Sequence, residues 1–564
     1  MTTISTNSQP VAIAAQLAEI NEAIAWHYSQ ISILKAKANA LNSISALPNE
    51  ILSKIFVEFA FLSGRPFDLK WTKVMRVCRR WHDIALGEQQ LWGYIRDSFS
   101  SHSERIRCQL ERSGAAPLTV DIMSGDSGFH SSLFLRHAER LRNLSFIGSG
   151  IDVLEFMNSL SHHSLPLLRA MKLDPSTKLE EVPADVPRSF PDALFDGRAP
   201  YLTELDLTQI PINWSLLRGF TRLCLVKTPD TNQSDTFVKF LSLLEASPAL
   251  RYLKLGKLIS SNALTQSHPA VSLPYLELIW VQEDVALCTE LLRRIIIPPT
   301  TRICLYVFGI NNGADIAPLL VPARNHVRAQ GAPVLRCLRL DATPLRGMHT
   351  SFMVSAFIAT TAPNALEYDA ANFLVNSHPT TEPALRGIMT KVLKALPCST
   401  ITHLDCRNAV HLTVPTWKAA VALLPALEMV YTWLNPAAAQ FLTALAELTE
   451  NPRNAVVPPL QHVHLWAYAW RQNQNEPDEV GPVLAALRRL LAARHACGTP
   501  LPVLEIDEQI NSLNMEEAEW EALFEKVGKF IRNGNVYDPP AQRRRYEELR
   551  RQWQAEHPNY DDSE

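Results

Sequence analysis

The sequence has 564 residues, 47% of them hydrophobic and 20% charged, a globular mixture long enough for two or three folded units. Its formal charge of -3 gives no global drive toward nucleic acid or anionic membrane, so neither is an expected partner. Only 20 glycines stand against 38 prolines, and no phosphate-cradling pattern of the GxGxxG or GxxxxGKS/T type occurs.

Nine cysteines without a repeated CxxC fit reduced thiols, hence a cytoplasmic or nuclear location. The first twenty residues lack the basic start and continuous apolar core of a secretory signal. The most apolar later stretch is broken by Lys418, Pro425 and Glu428, which argues against a membrane span.

Residues 1–10 read as a flexible start, and 11–44 as an amphipathic helix. Ile13, Leu17, Ile20, Ile24, Ile31, Leu34 and Leu41 alternate by four and three, with His27 and Ala38 in the two remaining seam positions. Such a seam pairs with another helix. Two readings stay open: the helix lies back on its own protein, or residues 13–41 self-associate as a coiled coil.

The next segment carries LPNEILSKIF from Leu47, KVMRVCRRWHDIA from Lys73 and the pair Leu91-Trp92. Pro48 suits a first helical turn, where its missing N–H costs nothing. Ile51 and Ile55 share one helix face, and Leu52, Phe56 and Phe59 the neighbouring one. Val74, Val77, Cys78, Trp81, Ile84 and Ala85 recur at helical steps in the second part. A unit this small cannot bury so much apolar surface alone, and it needs a partner surface. Lys70, Lys73, Arg76, Arg79 and Arg80 form a basic stripe, read either as facing an acidic partner or as a solvated helix face.

This pattern resembles the F-box, a helical module that docks a Skp-family adaptor, and the match places it at residues 45–96. The resemblance implies adaptor docking, or the core that shapes it, for Leu47, Pro48, Ile51, Ile55, Val74, Val77, Cys78, Trp81, Leu91 and Trp92. A Gly-Arg-Pro interruption between Ala60 and Lys70 makes the first loop longer than in the shortest family members.

From Pro117 onward apolar residues recur at x, x+3 and x+5, as in Leu141/Leu144/Phe146, Leu202/Leu205/Leu207, Leu250/Leu253/Leu255, Leu335/Leu338/Leu340 and Leu460/Val463/Leu465. This is the pattern of a short strand with one buried face. Proline stands two residues before the opening leucine at Pro166, Pro200, Pro248, Pro274, Pro333 and Pro425, where it ends a helix and resets the chain. Helix, proline, strand, recurring at about 25 to 35 residues, resembles the degenerate leucine-rich repeats of F-box proteins. The intervals are uneven, and the asparagine that normally follows the repeat core is missing in most copies. The segment ERSGAAPLTVDI resembles the strand after the F-box in fungal members, which points to a fungal source.

The fold class expected is therefore α/β overall: an N-terminal helix and all-α F-box module, then an irregular leucine-rich-repeat-like solenoid over 115–510. A capping helix is expected over 511–537, started by Asn514 and Glu517 with Trp520, Leu523, Phe524, Val527 and Phe530 on its apolar face. A charged, mobile tail is expected over 538–564.

Gly125-Asp126-Ser127-Gly128 spells a serine-protease motif, but no matching histidine segment accompanies it and a loop is expected. Ser127 and Ser131 also fit a phosphorylation-dependent degron. Cys398, His403 and Cys406 approach metal-ligand spacing without a fourth ligand, and His462 and His464 read as polar surface residues, so neither a metal nor a cofactor is expected. No catalytic constellation emerges. The resemblance implies a non-enzymatic substrate receptor of an SCF-type ubiquitin ligase, bound through the Skp-family adaptor to a cullin, with an unknown protein substrate on the repeats. The rival is a non-ligase interaction scaffold.

Overall fold

The computed structural model describes residues 9–62, 66–98, 103–124, 131–177, 182, 186–230, 236–258, 268–310, 313–344, 350–360, 370–379, 381–410, 412–434, 436–451, 457–467, 480–508, 517–537 and 551. The chain divides into two compact units, 1–210 and 211–564. The division falls inside the expected repeat region, so the N-terminal helices share a unit with the first repeats.

Unit 1 opens with helix α1, Gln9–Ala40, followed by α2 (Asn49–Leu62), α3 (Arg79–Gly87) and α4 (Gln89–Trp92). The expected second helix over 73–85 is broken. Residues Lys70–Arg76 form a 3-10 helix, and Cys78 is fully extended, with φ -159 and ψ 169, before α3 begins. Strand β1 (Tyr94–Asp97), helix α5 (Ser103–Arg112), β2 (Leu118–Met123), short α6 (Ser131–Leu135), β3 (Leu141–Gly148), α7 (Gly150–Leu160), β4 (Ala170–Pro175) and β5 (Glu204–Thr208) complete the unit. These strands pair in parallel in chain order. Leu144, Met171 and Leu205 lie side by side across three of them, as do Phe146, Leu173 and Leu207, all buried.

Unit 2 alternates strands β6 (Arg222–Val226), β7 (Tyr252–Gly256), β8 (Val271–Ser272), β9 (Leu278–Asp284), β10 (Ile295–Ile296) and β11 (Arg302–Phe308) with helices α8 (Thr236–Glu245), α9 (Val285–Arg294) and α10 (Gly313–Val327). Then come β12 (Cys337–Pro344), β13 (Thr350–Phe357), β14 (Phe373–Ser377), α11 (Glu382–Ala395), β15 (His403–Asp405), α12 (Val414–Val421), β16 (Met429–Trp433), α13 (Pro436–Glu450), β17 (His462–Ala467), α14 (Val480–Ala496), β18 (Leu501–Glu508), α15 (Glu517–Phe524), β19 (Val527–Arg532) and β20 (Asn535–Val536). Pairing is parallel from β6 through β7 and β9 to β11, and again from β12 through β15 to β19. Between the two stretches β14 joins β11 in parallel, while β13 runs antiparallel to both β12 and β14. This reversal accounts for the long stretch between β12 and β15, one of the uneven repeat intervals read from the sequence. Short β8 and β10 pair apart from the rest.

The prolines have a more specific role than resetting the chain. At Pro166, Pro200, Pro248, Pro274 and Pro425 each occupies the second position of a tight turn closed by the leucine two residues later, for example Leu250 N–H to Ser247 O at 3.1 Å. Proline's fixed φ suits that turn position. At the strand exits Gln209, Lys227 and Lys257 take left-handed conformations. The N–H groups of Lys227 and Lys257 extend the ladder to Gly256 O and Gln282 O, so backbone alone closes turns where an asparagine was expected.

The expected capping helix over 511–537 is cut short. Asn514 lies outside the described residues, the helix stops at Phe524, and Val527 and Phe530 belong to a strand. The physical reason is local. Gly528 lies so close to β18 that a Cβ there would meet Pro502 O at 2.9 Å, and Asn533-Gly534, both at positive φ, make the two-residue turn of a hairpin. The expected tail over 538–564 lies outside the described residues but for 551.

Leu253 is fully buried between Leu223 and Ile279 on neighbouring strands. Leu253→Ala should cost about 2–5 kcal/mol. Chemical denaturation should report this as a lower midpoint, and an unchanged midpoint would contradict the shared core.

Candidate functional site: the N-terminal helical module and the open strand face

Helix α2 sends one apolar row inward and leaves another outside. Leu52, Phe56 and Ala60 are buried with Trp71, Val74, Ala85, Leu91 and Trp92 in one core, against which Leu47, Trp81 and Ile84 pack. Phe56 and Trp81 lie 5.0 Å apart by ring centroids, and Trp71 and Trp92 meet edge to face at 4.9 Å. Trp92 Nε1 donates to Ala85 O at 3.1 Å, which satisfies the one polar atom of a buried indole. The outer row is Ile51, Ile55 and Phe59, exposed by 40%, 40% and 43%. Pro48 precedes it, exposed, and Leu62 continues it at helical spacing, also exposed.

The ten residues named from the sequence therefore fall into three groups. Val74, Leu91 and Trp92 are core. Leu47, Cys78 and Trp81 are half-buried. Pro48, Ile51, Ile55 and Val77 are surface, Val77 being 57% exposed. Phe59, grouped from the sequence with Leu52 and Phe56, lies instead on the outer row, four residues after Ile55, and Trp71 in the core was missed as a site residue.

Arg80 is a positioning residue rather than part of a free basic stripe. Its guanidinium donates to Ser45 O and Leu47 O, each at 2.5 Å, and to Asn49 Oδ1 at 2.8–2.9 Å, which fixes the chain entering α2. Lys70 pairs with Asp68 at 3.6 Å. Between α2 and α3 an open groove of about 1300 Å³ carries both signs of charge, Glu50, Lys54, Glu58 and Asp83 among its lining.

The module is joined to the strands by backbone. Thr119 N–H donates to Gly93 O at 2.9 Å, and a Cβ on Gly93 would meet Pro117 O at 2.8 Å, so only glycine allows this approach. A family model described as F-box-like matches residues 44–97, the span from the approach to α2 through β1. The chain carries an F-box-like domain. No curated protein matched the sequence. Among solved structures, the leucine-rich repeat-containing protein LegL7 from Legionella pneumophila is similar over 71% of this chain and 93% of its own, at 13% identity and a TM-score of 0.26.

Beyond the F-box-like domain, the strands of unit 2 turn one face to buried leucines and the other away from them, half-exposed toward its ends but buried along its middle, where Cys304 and Leu374 belong to a second apolar cluster. Across that second, outward face Lys254, Trp280, Cys304, Leu374, Ser355, Arg339, Asp405, Tyr431, His464 and Glu505 are consecutive neighbours. One end is cationic and aromatic: Arg222 lies 3.7 Å from the Tyr252 ring centroid, Lys254 4.5 Å from that of Trp280, and Trp280 packs 4.9 Å from Tyr306. Midway, Arg339 and Arg407 converge on Asp405 at 2.8–3.0 Å. Burial opposes ionisation of Asp405, but the hydrogen bonds and charge of Arg407, with Arg339, outweigh it and hold the carboxyl below its usual range.

Cys398, His403 and Cys406 form no ligand cluster. Cys398 Sγ donates to Leu393 O at 3.0 Å, Cys406 is buried against Tyr431 O, and burial pushes both thiols up, Cys398 to about 12. The surface reading of His462 and His464 is corrected: they lie on the outward strand face, His464 only 7% exposed, beside Glu505 and Asp507. Residues 125–130, with the protease-like and degron-like pattern, lie outside the described residues.

Burial pushes the Asp341 carboxyl on β12 up to about 6, against the pull of Arg339. Unfolded, the group titrates near 4. Between these values the folded state holds more protons, so this group makes stability fall as pH rises through that window. Asp341→Asn should remove that fall. Thermal melts should give the variant a larger advantage over wild type at pH 7 than at pH 4, and an advantage independent of pH would contradict the assignment.

Proposed function

We propose that the chain is a non-catalytic substrate receptor of an SCF-type ubiquitin ligase, its F-box-like domain docking a Skp-family adaptor that links to a cullin. The observation that carries the reading is the row Pro48, Ile51, Ile55 and Phe59, exposed with Val77 beside a fully formed core. Apolar side chains that a packed domain leaves in a row on one helix mark a protein contact. The receptor contributes proximity: a protein substrate on the outward strand face, with its aromatic and charged side chains, is brought near activated ubiquitin. A cytoplasmic or nuclear location belongs to this reading.

Ile51→Asp combined with Ile55→Asp should abolish adaptor pull-down while the melting curve stays near that of wild type, because neither side chain is in the core. Full adaptor recovery by a folded double variant would overturn the docking assignment. Recovery of adaptor without any cullin from the wild-type chain would favour the non-ligase scaffold.

Self-association through residues 13–41 is part of the same proposal. Among the described residues nothing covers Leu17, Ile20, Ile24, Ile31, Leu34 or Leu41, all exposed, and a four-three seam suits a second copy of itself. Leu17→Lys with Ile24→Lys should convert a dimer to a monomer in sedimentation velocity. A wild-type chain that is monomeric at all concentrations would exclude it.

A further inference from the structure

Strands β17 and β18 bring two imidazoles and two carboxylates together on the outward face. His464 stands opposite Glu505 in the parallel register, and Trp466 opposite Asp507. His464 Nε2 lies 2.9 Å from Asp507 Oδ2, and its Nδ1 lies 3.7 Å from Glu505 Oε2. His462 Nε2 lies 3.0 Å from that same Glu505 oxygen. One ligand atom from each of His464, Glu505 and Asp507 lies within 4.8 Å of the others.

A neutral imidazole has one N–H and one lone pair. His464 faces a carboxylate with each nitrogen and can donate to only one, so the other nitrogen turns a lone pair toward negative charge. Among the described residues neither Glu505 nor Asp507 forms an ion pair with lysine or arginine. Among the described residues the cluster has electron-pair donors for a cation and no lysine or arginine paired with them.

We propose that one imidazole nitrogen of His464, with Glu505 and Asp507, forms a site for a divalent transition metal of the zinc class, His462 standing beside the Glu505 carboxylate as a positioning residue. In a tetrahedral site with bonds of about 2.0–2.2 Å, ligand atoms stand roughly 3–4 Å apart, close to the 2.9 Å from His464 Nε2 to Asp507 Oδ2, and all three ligand atoms already lie within 4.8 Å of one another. A ligating carboxylate that a neighbouring side chain holds, as His462 stands by Glu505, is a usual supporting arrangement, and the imidazole donor favours zinc, cobalt, nickel or copper over magnesium or calcium. Three protein ligands leave a fourth position for water or a partner's side chain on the open strand face. The site depends on unit 2 alone and is independent of adaptor docking.

The test uses the untagged full-length chain, stripped of metal by a chelator and titrated with Co²⁺, read by visible d–d absorption and Trp fluorescence, since Trp466 lies 5.3 Å from the His464 ring. One equivalent should bind, and Zn²⁺ should displace it and raise the melting temperature. His464→Gln, Glu505→Gln and Asp507→Asn should abolish the absorption, His462→Gln should weaken binding by about tenfold, and exposed His495→Gln should change nothing. Should a ligand variant fail to fold, His462→Gln and the Zn²⁺-dependent melt of wild type decide. Absence of stoichiometric Co²⁺ uptake, or uptake that the variants share, would overturn the site and leave hydrogen bonding between His464 and the carboxylates as the account of the geometry.

Discussion

Helix α2 has apolar side chains on two faces and a single core to bury them in. Leu52, Phe56 and Ala60 take that core, closed by Trp71 and Trp92, and fill it. Ile51, Ile55 and Phe59 are then left outside by geometry, because residues one position round the helix point away from the same core. The exposed row cannot be turned inward without unpacking the two tryptophans. Backbone contact at Gly93 ties this packed module to β2, so the row is held in a fixed relation to the first strands of its unit.

The strand ladder obeys a comparable division. Alternation sends Leu404, Val430, Val463, Leu504 and Phe530 into the core, and their neighbours in sequence outward. The buried set tolerates little beyond apolar side chains of the right volume. The opposite set is buried in its middle, at Cys304, Leu374, Ser355, Arg339 and Asp405, and half-exposed toward its ends, and it holds the Arg339–Asp405–Arg407 pairing, aromatic rings under cations and the His462–His464–Glu505–Asp507 cluster.

Much of this was legible in the residues. The three-two apolar spacing located the strands at Leu141, Leu202, Leu250 and Leu460, and proline marked the turn before several of them. The same spacing at Leu501, Leu504 and Ile506, a strand of the same kind, was passed over inside a region assigned to repeats. The Asn533-Gly534 hairpin was equally readable, but a helical pattern running through Phe524 and Phe530 masked it. Other features depend on contacts distant in sequence. Nothing local tells that Arg80 reaches back to Leu47 O, or that β13 inverts the strand order. His464 and Glu505 are 41 residues apart, and only strand register makes them neighbours.

The central claim is that the F-box-like domain meets an adaptor through the outer row of α2. Hydroxyl-radical footprinting of the full chain, with and without a purified Skp-family adaptor, tests it at side-chain level. The account predicts protection at Ile51, Ile55, Phe59 and Val77, with Trp71 and Leu91 unchanged because they are already buried. Protection confined to the strand face around Tyr431 and Trp466, or none at all, would contradict it.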